Sequence, residues 1–229
     1  MRAIAFDLDG TLFDHEGAAR AAVRAWIGVN GWDELRTVEE AETEWFVIED
    51  RRFAEYAAGL VGLQEQRRRR LRDFLPYLGV ELDERRIDEI YAQFLELYEA
   101  HWVGYPDAVA TLTELSERGY VLAVLTNGHL EQQRGKMAAI RLLDLVEHLL
   151  AAADLPAFKP DPRAFTALCD ALGMEPREIA YVGDDVLNDA HGARDAGLRS
   201  IHLDRSGAVG AIDGVETIRE LADLLTHLP

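Results

Sequence analysis

Asp7-Leu8-Asp9-Gly10-Thr11 places two carboxylates one residue apart where a short apolar run ends, and a glycine follows them. Carboxylates at this spacing can project to one side as a strand unwinds, with Gly10 permitting the sharp exit. That much negative charge repels an anion, so the pair by itself suggests a hard cation such as Mg2+. Asp184 and Asp189 add oxygens that could ligate or support the ion, Thr126 offers a hydroxyl and Lys159 a positive charge. Carboxylates, a magnesium ion, a hydroxyl donor and one lysine together describe phosphoryl transfer. The metal would offset repulsion between an aspartate nucleophile and a phosphate, and an aspartyl-phosphate is an established covalent strategy.

For these residues to meet, four distant segments must reach one edge of a fold. Ala3–Phe6 reads as a strand buried on both faces, because its apolarity is continuous. After Pro106 helices and strands alternate: a helix over 107–118, a strand over 120–125, a helix around 130–140 and a strand at 149–152. Asp161-Pro162 is an N-cap and first-turn pair for a helix closing at Gly173. Then come a strand at 179–182, a helix over 188–196 and a last strand at 200–203. Thr217 and Glu220 have capping-box spacing ahead of a closing helix over 218–228, and 206–214 reads as a loop before it. Such alternation implies right-handed crossovers and a parallel sheet covered on both faces. Ligands of open parallel sheets sit beyond the carboxyl ends of the strands. Asp7, Asp9, Thr126 and Asp184 fall at those ends, and Lys159 follows the third strand.

From Glu16 to His101 the periodicity is helical throughout. Ile87, Ile90, Tyr91, Phe94, Leu95 and Tyr98 mark one helix, and Thr37 with Glu40 has capping-box spacing for another. This is a helical insertion. Its basic run, Arg67–Arg70 with Arg72, reads as a solvated helix face rather than a substrate clamp. Arg51, Arg52 and Trp45 could reach a substrate from the insertion, without an assigned role.

The chain has 42 acidic and 24 basic residues, a formal charge of −18, which argues against a nucleic-acid binder. No polybasic helix suggests a membrane surface, and no apolar run approaches a membrane span. The stretch 1–8 is too short for an export signal and carries Arg2 and Asp7, so the expectation is a cytoplasmic protein. Cys169, the single cysteine, reads as a small buried helix residue. Only two of the 24 basic residues are lysines, Lys136 and Lys159. Lysine is a compact point charge where arginine is a broad fork. Lys159 falls beside the other candidates and Lys136 reads as incidental.

Asp7-Leu8-Asp9-Gly10-Thr11-Leu12, Thr126-Asn127-Gly128, Lys159-Pro160-Asp161-Pro162 and 183–189 (Gly-Asp-Asp-Val-Leu-Asn-Asp) resemble the four signature motifs of the haloacid dehalogenase superfamily. They stand in the family's order across nearly the whole chain, and the helical insertion is similar to the family's small α-helical cap. The resemblance implies Asp7 as nucleophile and Asp9 as general acid and then base. It implies Mg2+ held by Asp7, the backbone carbonyl of Asp9, and Asp184, with Asp189 supporting the metal or Lys159 from behind. Asp185 competes with Asp184 for the metal. Thr126 would hydrogen-bond the phosphoryl group, helped by the backbone N–H groups of Leu8 and Asn127, and Lys159 would neutralise nucleophile and phosphate. His15 is a candidate at the entrance. Dehalogenases of the family lack the second aspartate, so Asp9 favours phosphate chemistry. Phosphonate-cleaving relatives need a cap lysine, and none precedes Lys136.

The expected architecture is α/β: a Rossmann-like parallel-sheet core from residues 1–13 and 102–229, with an inserted helical-bundle cap from 14–101. The expected activity is Mg2+-dependent hydrolysis of a small phosphate monoester through an aspartyl-phosphate. A phosphomutase sharing the motifs is the same-class alternative, and a non-catalytic regulatory or binding protein the different-class one. The expected partner is a small phosphorylated metabolite, with neither nucleic acid nor membrane, for a monomer or homodimer.

Overall fold

The computed structural model describes residues 1–32 and 35–228. The chain forms two compact units, residues 1–15 together with the chain from Trp102 onward, and Glu16–His101. Asp14 and His15 fall with the first unit, where the Asp14 N–H donates to the Val103 carbonyl at 3.0 Å.

The first unit is built on six parallel strands: β1 (Ala3–Phe6), β2 (Val121–Thr126), β3 (His148–Ala151), β4 (Ile179–Gly183), β5 (Arg199–Leu203) and β6 (Glu216–Ile218). Their order is β3-β2-β1-β4-β5-β6, and every pairing is parallel. β1 lies between β2 and β4, with Ile4 level with Leu122 and Ala180. All residues of β1 and β4 are buried, which is why both read as unbroken apolar runs. The chain runs outward from β1 to β3 and then returns to the other side of β1 for β4. The crevice at such a switch, beyond the ends of β1 and β4, is where open α/β sheets bind ligands.

Helices α5 (Ala108–Glu117), α6 (Leu130–Ala139) and α7 (Pro162–Leu172) link the strands. Asp161 caps α7 by accepting from Arg163 N–H, and Gly173 closes it at φ 61°, as its sequence signals indicate. Phe165, Leu168 and the buried Cys169 of α7 pack with Ala5, Leu125 and Tyr181 in one cluster of the core.

Two expectations are corrected. Residues 188–196 do not form one α-helix: a π-helical turn, Val186–His191, leads into the short α8 (Gly192–Asp195). The Asp185 carbonyl accepts from both Asp189 N–H and Ala190 N–H, which widens the turn. The closing helix over 218–228 shrinks to α9 (Leu224–His227), because Glu216–Ile218 joins the sheet as β6. Thr217 sits level with His202 of β5, and the capping box moves to Glu220 and Asp223. Strand pairing outranks the local capping signal.

The second unit holds helices α1 (His15–Asn30, from Glu16 on), α2 (Val38–Ala57), α3 (Leu63–Tyr77) and α4 (Ile87–Ala100). The capping box of Thr37 and Glu40 starts α2. Trp26, Trp45, Phe74 and Phe94 form its centre, with the rings of Trp45 and Phe94 4.3 Å apart. The basic run is an ion-pair belt rather than a simply solvated face. Arg68 pairs with Asp88, Arg69 with Glu55 and Glu65, and Arg72 with Glu65 and Glu84, while the buried Arg70 pairs with Glu49. Arg51 and Arg52 both bind Asp73, and Trp45 is fully buried, so these three support the unit itself. Among the described residues, no helix is long and apolar enough to cross a membrane.

Candidate active site

β1 ends at Phe6 and the chain turns at once. The Leu8 carbonyl accepts from the N–H groups of Thr11, Leu12 and Phe13, and Gly10 adopts φ 90°, a conformation that disfavours side chains. A Cβ on Gly10 would also run into the Asp184 carboxylate. The bare glycine is therefore what lets the loops after β1 and β4 approach. Asp7 itself stays in sheet register, its N–H donating to the Val182 carbonyl at 2.9 Å.

Lys159 stands at the centre. Its Nζ donates to Asp7 Oδ1 at 2.6 Å, to Asp189 Oδ1 at 2.7 Å and to the Tyr181 hydroxyl at 2.8 Å. The Tyr181 hydroxyl donates onward to the Leu125 carbonyl at 2.9 Å. Burial alone would drive the Lys159 ammonium toward its neutral form, but Asp189 and Asp7 outweigh it and raise its pKa. The lysine is a fixed cation.

One cation does not balance its surroundings. Asp7, Asp184 and Asp189 bring carboxylate oxygens within 4.8 Å of one another. Burial first, and repulsion from Asp189 and Asp184 second, push Asp7 well above the usual carboxylate range despite Lys159. Burial and Asp189 likewise push Asp184 up to about 6. Carboxylates crowded to this degree, all oxygen donors, suit a hard divalent cation. Asp184 and Asp185 now separate. Asp184 accepts from the Thr11 hydroxyl at 2.8 Å and belongs to the acidic cluster, whereas Asp185 caps the following turn through the N–H groups of Leu187 and Asn188. Asp189 has both oxygens engaged, one by Lys159 and the other by the Asp185 N–H at 3.1 Å, which places it as a support behind the cluster.

Thr126 ends β2 and is 1% exposed. Its Oγ1 accepts from the Gly128 N–H at 3.2 Å and from the Gln133 amide at 2.7 Å. Asn127 exchanges two hydrogen bonds with the backbone of Lys159, Nδ2 to its carbonyl and Oδ1 from its N–H. The loop after β2 thus holds the lysine segment in place. Asp9 faces a different pair: Lys136 Nζ donates to Oδ1 at 2.6 Å and Gln133 Nε2 to Oδ2 at 2.7 Å. Burial would raise the Asp9 pKa, but Lys136, His15 and Gln133 outweigh it and hold the carboxylate below its ordinary range. His15 begins α1 and acts on Asp9 through charge.

The expected residues Asp7, Thr126, Lys159, Asp184 and Asp189 come together at one edge of the sheet, with Asp9 beside them. The placement of Lys136 as incidental is corrected: its side chain is 4% exposed and its ammonium is bound to Asp9. Tyr181 and Gln133 have no place among the expected residues, and Thr11 stands there only as part of the first motif, without the role its bond to Asp184 gives it. Tyr181 carried a readable signal, a hydroxyl in a strand buried on both faces, and the scarcity of lysine, which singled out Lys136 together with Lys159, is a signal that holds for both. Nothing local marked Gln133.

The sequence pattern of haloacid dehalogenase-like hydrolases matches residues 1–197. A 103-residue stretch is 37% identical to (S)-2-haloacid dehalogenase 4A of Burkholderia cepacia, covering 45% of this chain and 44% of that one. Another, of 128 residues, is 40% identical to phosphatase MT3486 of Mycobacterium tuberculosis, covering 56% and 57%. The chain spans about half the length of each of these relatives. The fold is similar to that of the putative HAD-hydrolase YfnB from Bacillus subtilis, solved bound to magnesium. That likeness has a TM-score of 0.84 at 18% identity, over 99% of this chain and 98% of that one.

Proposed function

Because the chain belongs to the haloacid dehalogenase-like hydrolases, we propose that it is a Mg2+-dependent phosphatase of small phosphate monoesters, working through an aspartyl-phosphate on Asp7. The observation that carries this reading is Asp9, a carboxylate held by two buried donors beside the Thr126 hydroxyl. Cleaving a phosphate ester releases an alkoxide that needs a proton, whereas a departing halide needs none. A carboxylate held in this way has a task in the first reaction and none in the second.

In the proposed reaction Asp9, ionised at rest, takes up the proton of the incoming monoanionic ester. An Asp7 oxygen then attacks phosphorus and the bond to the leaving oxygen breaks as Asp9 passes that proton to it. Water then attacks the phosphorus of the aspartyl-phosphate while Asp9 takes the water's proton. The acyl-phosphate P–O bond breaks, giving inorganic phosphate and the Asp7 carboxylate. Thr126 donates to the phosphoryl oxygens and Lys159 neutralises charge shared by Asp7 and the phosphoryl group. Asp7, Asp184 and the Asp9 carbonyl would hold the cation, with Asp189 behind them. When bound, the cation supplies positive charge that lets an anionic phosphate approach an anionic nucleophile.

The test is phosphate release over a panel of phosphometabolites, with Mg2+ or chelator, for the wild type and Asp7→Asn. Release by the wild type with Mg2+ is expected, and the substitution or the chelator should each remove it, by at least about 10³-fold for a lost nucleophile. Release that survives either overturns the mechanism. Isomerised substrate without free phosphate would identify a mutase, and chloride released from (S)-2-chloropropionate would identify a dehalogenase.

A further inference from the structure

We propose that Gln133 and Lys136 are positioning residues of this site: one face of α6 clamps both oxygens of the Asp9 carboxylate and, through the Gln133 amide, ties them to the Thr126 hydroxyl. The inference rests on the phosphatase reading and adds two residues that lie outside all four sequence motifs.

Residues 133 and 136 are three apart in α6 and therefore share a face. Both are almost wholly buried, at 1% and 3% exposure. Burying an ammonium and an amide is unfavourable unless their hydrogen bonds are met, and here they are met by groups of the site. Lys136 takes one oxygen of Asp9 and Gln133 the other, at 2.6 and 2.7 Å. Lys136 also lies 4.8 Å from the centre of the Phe13 ring, and the Phe13 carbonyl accepts from the Gly10 N–H. It therefore grips the loop that carries Asp9 as well as the carboxylate.

Gln133 couples two groups. A carboxamide has two N–H donors, and here one reaches Asp9 while the other reaches Thr126 at 2.7 Å. Thr126 Oγ1 accepts that bond and a second from the Gly128 N–H. With both lone pairs occupied, its own proton is left to donate, which is the role a phosphoryl oxygen requires. The arrangement also accounts for Gly128, since a Cβ there would collide with the Gln133 amide. Each carboxylate oxygen has a second acceptor site, so a clamped Asp9 can still exchange a proton with the leaving oxygen or water. What the clamp removes is rotation of the carboxylate away from that position.

The two residues make separable predictions. Of the two reacting groups, Lys136 hydrogen-bonds Asp9, the acid/base group, while Gln133 hydrogen-bonds both Asp9 and Thr126, the phosphate anchor. p-Nitrophenyl phosphate and benzyl phosphate are similar in shape, but the first expels a stable phenolate and the second an alkoxide that must be protonated. Single-turnover phosphorylation of Asp7 is measured with both, for the wild type, Lys136→Met and Gln133→Met, alongside KM. Lys136→Met should slow benzyl phosphate by on the order of 10²-fold, the lower range of general acid catalysis. It should leave p-nitrophenyl phosphate within about threefold, since little proton transfer is needed there. Gln133→Met should slow both, by about tenfold or more, and raise KM, as a displaced phosphate anchor would.

Circular dichroism and thermal unfolding report whether each variant folds. If Lys136→Met does not, Gln133→Met carries the test by its loss on p-nitrophenyl phosphate together with the raised KM. Equal losses on both substrates for Lys136→Met, the same pattern in both variants, or no loss at all would overturn the clamp. A wild type inactive on both esters and on the phosphometabolite panel would instead remove the phosphatase reading, and the clamp with it.

Discussion

The crowding of carboxylates around Asp7 should be measurable as a stability defect that vanishes when one charge is removed. Asp184→Asn is the cleanest perturbation. The amide keeps an oxygen to accept from the Thr11 hydroxyl, which reaches Asp184 Oδ1 at 2.8 Å, and it keeps the side-chain volume. Burial and Asp189 raise Asp184 from 3.8 to about 6 in the folded protein. Below pH 4 the carboxyl is protonated in both folded and unfolded chains, and it adds nothing to the pH dependence. Between pH 4 and 6 the unfolded chain loses the proton while the folded one keeps it, so stability falls as pH rises. Above pH 6 the loss is complete. A shift of about two units at about 1.4 kcal/mol each comes to about 3 kcal/mol. For a chain of this size that corresponds to roughly 6–12 °C in Tm.

The assay is thermal or urea unfolding of wild type and Asp184→Asn from pH 4.5 to 7.5 in chelator. The variant should be the more stable at pH 7.5, and the advantage should shrink as pH approaches 4.5. Carboxylates held low by exposed partners, such as Asp88 and Asp161, both at about 2, are common to both proteins and drop out of the difference. Adding Mg2+ should raise the wild-type Tm, because a ligand of the folded state stabilises it, and should do little for the variant. A wild type whose stability does not fall over this range, with a variant no more stable at pH 7.5, would refute the electrostatic account of the site.

Two further substitutions test the frame around it. Gly10→Ala forces a side chain into φ 90° and into the Asp184 carboxylate. It should remove the Mg2+-dependent rise in Tm and lower kcat by on the order of 10²-fold, and full activity would refute the close approach of the two loops. Trp45→Ala empties the aromatic centre of the helical unit, where Trp45 is fully buried between Phe74 and Phe94. It should destabilise that unit by about 3–5 kcal/mol, seen as early proteolysis within residues 16–101.

The sheet was legible because the residues of β1 and β4 are buried on both faces and must be apolar, and because polar residues stand at or just past the ends of β1, β2 and β4, namely Asp7, Thr126 and Asp184. The helical unit was legible from periodicity. The β6 strand was not, since three residues pairing with β5 carry no pattern of their own, and a capping-box spacing nearby pointed the other way. Motif residues could be placed because their neighbours constrain them: Gly10 announces the turn and Asp161-Pro162 the helix. Gln133 and Lys136 escaped because their role depends on how α6 lies against the loop after β1, a tertiary fact. Choosing between Asp184 and Asp185 has the same character. Only the folded turn shows one carboxylate spent on backbone N–H groups and the other left with the acidic cluster.

The two lysines make one argument about charge. Both are buried, at 3% and 5% exposure, and each binds a carboxylate at 2.6 Å, Lys136 to Asp9 and Lys159 to Asp7. Lys159 directs three donors to three acceptors in different directions, which an ammonium can do and a planar guanidinium, with its donors confined to one plane, cannot. Four carboxylates, Asp7, Asp9, Asp184 and Asp189, stand against these two ammonium groups, leaving two negative charges when all are ionised. The surplus is concentrated on one side: Lys136 answers Asp9, while Lys159 alone faces Asp7, Asp184 and Asp189. Without a counterion the site can relieve that surplus by retaining protons, which is the direction in which Asp7 and Asp184 are shifted. A divalent cation among the same three carboxylates would balance the charge without protons and leave Asp7 ionised, the form in which it can attack phosphorus.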